Sequence, residues 1–133
     1  ANFPECPSWF NEGLASLYEQ SADKGGKIMG LTNWRLDGLK KEIKAKTLPT
    51  FKELCSTGSH QFYNSSKGDN YAQARYLCYY LQEEGLLEKF YKQFKQNVKA
   101  DPSGYETLQK VLQRKDMKAF QESWETWALT LKR

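Results

Sequence analysis

Histidine is almost missing from this 133-residue chain, with His60 its single example. A zinc centre on a helix of the form His-Glu-x-x-His needs two histidines one turn apart. No such pair exists here, so no complete metal site is written in the sequence. Cysteine does not make up the deficit, because Cys6, Cys55 and Cys78 have no Cys-x-x-Cys spacing. Their odd number fits a reducing compartment, or an oxidising one with one bridge and one free thiol, so disulfide state and compartment both stay open. Cys78 falls in an apolar helical stretch and reads as core.

Long apolar runs are also lacking. None approaches the roughly 20 residues of a membrane span, and no secretory leader opens the chain. The chain begins at Ala1 without an initiator methionine, so the expectation is a processed or partial polypeptide whose targeting segment, if it has one, lies upstream. Strict apolar-polar alternation, internal repeats, low-complexity tracts and long linkers are absent as well. These absences point to an all-α chain folded as a single domain over residues 1–133, with about six helices in a bundle or orthogonal array.

Core-forming material is plentiful. Aromatic residues make up 14% of the chain, with Trp9, Trp34, Trp124 and Trp127 spread along it, which excludes disorder. The net charge is +4, from 20 basic and 16 acidic residues. Its excess lies C-terminally, with Lys89, Lys92, Lys95 and Lys99 on one face of a helix. That density is too low for a nucleic-acid interface and reads as a solvated face, so no nucleic-acid partner is expected.

Helical spacing defines the elements. Pro7 precedes a helix over residues 8–20, with Ser8 as N-cap and Phe10, Leu14, Leu17 and Tyr18 inward. Residues 21–30, with three glycines and little apolar material, read as a loop. A second helix after Thr32 or Asn33 buries Leu36, Leu39 and Ile43 and exposes Lys40, Lys41 and Lys44. Beyond Pro49, Thr50-Phe51-Lys52-Glu53 has the form of a capping box opening a short helix to Cys55. Residues 56–70 form a long polar segment of the kind that often carries function. Asp69 or Asn70 then caps a helix through Tyr71, Ala74, Leu77, Cys78 and Leu81, stopped by Gly85. Another helix carries Leu87, Tyr91, Phe94 and Val98. Asp101-Pro102 starts the next, and Asp116 caps the last, whose stripe is Met117, Phe120, Trp124, Trp127 and Leu131.

One stretch carries chemistry. Trp9-Phe10-Asn11-Glu12-Gly13-Leu14-Ala15 sets a carboxylate in an aromatic-flanked helix and resembles the third-ligand segment of gluzincin zinc metallopeptidases, the thermolysin-like and aminopeptidase-like clan. The resemblance implies that Glu12 is the zinc-ligating glutamate, with Gly13 allowing a neighbouring backbone close. A second segment, Asn70-Tyr71-Ala72-Gln73-Ala74-Arg75-Tyr76-Leu77, looks like the later helix of that clan. By this resemblance the Tyr71 hydroxyl stabilises the oxyanion. The terminal helix with Asp116, Phe120 and Trp124 looks like that of peptidase-MA-like proteins. The plain alternatives are a first-turn carboxylate favoured by the helix dipole for Glu12 and a first-turn aromatic for Tyr71.

The departure from the family pattern is sharp. Only eleven residues precede Glu12, too few for His-Glu-x-x-His and its spacer. His60 lies after Glu12, in a polar segment without an i, i+4 partner, and is not the missing ligand. The resemblance therefore implies a helical fragment of a zinc-dependent peptidase, inactive alone, whose parent binds zinc and acts on peptide or protein substrates. Its partner would be an upstream segment of the same polypeptide bearing His-Glu-x-x-His. No tightly bound cofactor is expected on this chain itself, and an extracytoplasmic parent is the expectation from resemblance. The alternative is a non-catalytic helical scaffold or interaction module related to peptidases. A third reading, a basic helical binder of anionic surfaces, rests on the lysine face alone.

Overall fold

A computed structural model of the chain describes residues 6–18, 21–24, 27–30, 32, 35–56 and 69–132, with residues 21–24, 27–30 and 69–71 described by their backbone. The fold is all-α. Among the described residues seven helices occur: α1 (Ser8–Leu17), α2 (Arg35–Ala45), α3 (Phe51–Ser56), α4 (Asp69–Glu83), α5 (Leu87–Asn97), α6 (Tyr105–Leu112) and α7 (Met117–Leu129). The expected loop over 21–30 instead contains a minimal antiparallel hairpin, β1 (Ser21–Lys24) paired with β2 (Lys27–Gly30), in register Ser21 to Gly30 and Lys24 to Lys27. Four-residue strands are too short to display a period-2 pattern, which is why the glycines there read as loop.

The core is organised around α4. From Ala72 to Cys78 seven consecutive residues are buried, so this helix is covered on every side over two turns. α1 packs along α4 more extensively than any other pair of described elements, and α2, α5 and β2 also touch it. Phe51, Phe120 and Trp124 interlock α3 with α7, with ring centroids 5.6 and 5.0 Å from Phe51. The Trp124 indole N–H donates to the Tyr76 carbonyl at 3.3 Å, joining α7 to the central helix.

Local chemistry sets several helix ends as the sequence indicates. The capping box is reciprocal, with Glu53 N–H donating to Thr50 Oγ1 at 3.1 Å and Thr50 N–H to Glu53 Oε1 at 3.0 Å. The Thr50 N–H and then the Thr50 hydroxyl, which also donates to Glu53 Oε1 at 3.0 Å, hold the Glu53 carboxyl below its ordinary pKa. Asp116 caps α7 by accepting from Ala119 N–H at 3.1 Å, and Gly85 ends α4 at φ +70°.

Other boundaries differ. Ser8 is not the cap of α1: Pro7 holds that position in extended conformation with no side-chain bond, and the helix closes at Leu17 rather than residue 20. Leu14 is half-buried and Tyr18 exposed, so the inward face of α1 is Trp9, Phe10, Gly13 and Leu17. Lys40 is half-buried, its ammonium donating to the Leu131 carbonyl and fastening the end of the chain to α2. Asp101-Pro102 does not begin α6. It forms a turn whose buried Asp101 carboxylate accepts from Thr107 N–H at 2.8 Å and Thr107 Oγ1 at 2.9 Å, with Gly104 at φ +76° as N-cap.

Candidate functional site

Glu12 is the fifth residue of α1, in its second turn, and its side chain is half-buried. No acidic residue occupies the first turn, so the dipole explanation for a carboxylate at a helix start does not apply to it. The residues around Glu12 are fixed rigidly. The Trp9 indole is fully buried and donates to the Ser103 carbonyl at 2.8 Å. Phe10 stacks on Tyr91 with an interplanar angle of 6° and packs 5.0 Å from Phe90, while Trp9 lies 5.3 Å from Phe90. Asn11 donates through Nδ2 to the Cys6 carbonyl at 3.2 Å. The segment that carries the resemblance is thus held between α4, α5 and the turn before α6.

Gly13, next to Glu12, is where the α1 and α4 backbones meet. A Cβ there would stand 2.7 Å from the Ala74 carbonyl oxygen and 2.8 Å from Cys78 Sγ, distances no real side chain adopts. Only glycine allows this approach, as the sequence pattern implies. Tyr71 lies three residues before Ala74, in the first turn of α4. The two segments singled out from the sequence therefore belong to the most extensively packed helix pair. The side chain of Tyr71 lies outside the described residues, and so does His60 entirely.

Burial governs the ionisable groups close by. It pushes the Cys78 thiol far above its ordinary 9.0, with Arg75 pulling weakly the other way. The Cys55 thiol is raised as well, by burial first and then by Asp101 and Cys78. Tyr18 is raised by partial burial and by Cys78. Cys6, Cys55 and Cys78 are all buried free thiols.

Two buried polar residues in α4 escape sequence reasoning, since helical spacing gives no sign of them. Arg75 is fully buried, its guanidinium carbon 5.5 Å from the Tyr76 ring centre. Gln73 is equally buried and donates through Nε2 to the Pro49 carbonyl at 2.8 Å. Among the described residues no group of three His, Cys, Asp or Glu side chains is placed to hold a metal ion, so within them no metal centre is assembled around Glu12. A concavity of about 410 Å³ does exist, between α3, α6 and α7, but Glu12 does not line it. Glu12 does not line the second described concavity either.

With the site placed, the class that the structure defines is an all-α domain with a glycine-mediated α1–α4 contact beside a half-buried glutamate. Comparison of the chain with protein-family models, with characterised proteins and with solved structures finds no match.

Proposed function

We propose that this chain is the helical, ligand-bearing part of a gluzincin-like zinc peptidase. In this reading Glu12 is the third metal ligand and Tyr71 the oxyanion donor. The observation that carries it is the contact at Gly13, which holds the backbone beside Glu12 against the α4 backbone one turn after Tyr71. A two-helix site needs such rigidity, because catalytic groups must be held within fractions of an ångström of their working positions. A half-buried carboxylate also suits a ligand that must reach a metal while its stem is fixed in the core. In such sites zinc, when bound, polarises the attacking water and the scissile carbonyl. The part assigned to Tyr71 is a hydrogen bond from its hydroxyl to the oxygen that gains negative charge as the peptide bond is attacked.

A second reading is a peptidase-related scaffold without catalysis. One experiment separates the two. The full open reading frame containing this chain is translated and expressed, and peptidase activity is assayed with and without Tyr71→Phe. The enzyme reading expects His-Glu-x-x-His upstream of Ala1 and a loss in kcat of about 10²–10³ in the variant, with zinc content retained. An upstream sequence without that motif, or full activity in Tyr71→Phe, sinks it.

A further inference from the structure

The concavity between α3, α6 and α7 combines an apolar floor with a rim of both charges. Its volume is about 410 Å³, within the range of small-molecule sites. Phe51, Tyr105 and Met117 line it, with Phe51 and Met117 buried and Tyr105 half-buried. Lys52, Lys118, Glu122 and Glu125 also line it, the first three of them exposed. Among the described residues neither lysine lies within ion-pair distance of either glutamate. Two cations and two anions thus share one rim without a direct ion pair between them. The frame beneath is fixed by Gln121, whose Nε2 donates to the Pro49 carbonyl at 3.0 Å and to Glu125 Oε2 at 3.2 Å while its Oε1 accepts from Phe51 N–H at 3.0 Å.

We propose that this concavity binds a small zwitterion with an apolar body, the chemistry of a free amino acid with a large apolar side chain. The ligand body lies against Tyr105 and the small edges of Phe51 and Met117 that reach the surface, its carboxylate meets Lys52 and Lys118, and its ammonium meets Glu122 and Glu125. A purely anionic or purely cationic ligand gains from one half of the rim and is opposed by the other. Glu12 does not line this concavity, so the proposal stands whether or not the chain belongs to a peptidase.

The test uses L-phenylalanine as probe, with amide chemical shifts of the chain followed by NMR. Saturable shifts at Lys52, Tyr105, Lys118 and Gln121 are expected. Binding should weaken at least about tenfold for N-acetyl-L-phenylalanine, which lacks the ammonium, and for L-phenylalaninamide, which lacks the carboxylate. The exposed double substitution Lys52→Ala with Lys118→Ala should weaken phenylalanine but not phenylalaninamide, which loses only a repulsion. Absence of shifts up to about 10 mM, equal binding of all three compounds, or undiminished binding of phenylalanine by the double variant each overturns the proposal.

Discussion

At Gly13 the missing side chain is what lets two helices touch. Replacing it with alanine removes a helix-propensity penalty of about 1 kcal/mol, but the new methyl would collide with the Ala74 carbonyl and Cys78 Sγ. The collision is with backbone, which cannot rotate aside, so Gly13→Ala should lower stability by about 1–3 kcal/mol in urea unfolding. A neutral or stabilising effect would mean that α1 and α4 are further apart than described. Cys55 and Cys78 make a second residue-scale prediction. Held neutral by burial when folded, each ionises near its ordinary 9.0 once the chain unfolds. Above that pH the unfolded chain binds fewer protons than the folded one, so stability falls as pH rises. Urea unfolding between about pH 8 and about pH 10 should show stability falling by roughly 1 kcal/mol in all for each thiol, and Cys78→Ala should remove one thiol's share of the fall. An unchanged slope in the variant would contradict the burial of Cys78.

Among the elements, α3 and α7 depend on short-range caps that are open to test. Thr50→Ala or Asp116→Ala should each cost about 1 kcal/mol, read as a shifted urea midpoint with the same denaturant slope. Asp101→Ala should cost more, about 2–3 kcal/mol, because it strands the buried Thr107 N–H and hydroxyl. These cases also mark what a sequence reveals. The capping box, the Asp116 cap and the Gly85 stop were legible because the residues that make them are neighbours in the chain. The Asp101 turn was not, since a proline after an aspartate looks like a helix start, and only the fold shows Asp101 reaching six residues on to Thr107. For the candidate site, Glu12 and Gly13 stood out through their local pattern. Arg75 and Gln73 did not, because their burial comes from helices that pack around α4 from elsewhere in the chain.

For the whole molecule, the arrangement amounts to a buried central helix with α1 seated along it and Glu12 beside the point of closest approach. That placement gives the proposed ligand a fixed base on this chain, and the proposal assigns its histidine partners to another segment. The most direct measurement is the zinc content of the protein expressed from the full open reading frame, compared with its Glu12→Ala variant after both are shown to keep the same helical circular dichroism. The account predicts about one zinc per chain in the parent and loss of most of it in the variant, since removing one of three protein ligands opens a second coordination position. Equal stoichiometric zinc in both proteins, or none in the parent, would contradict it.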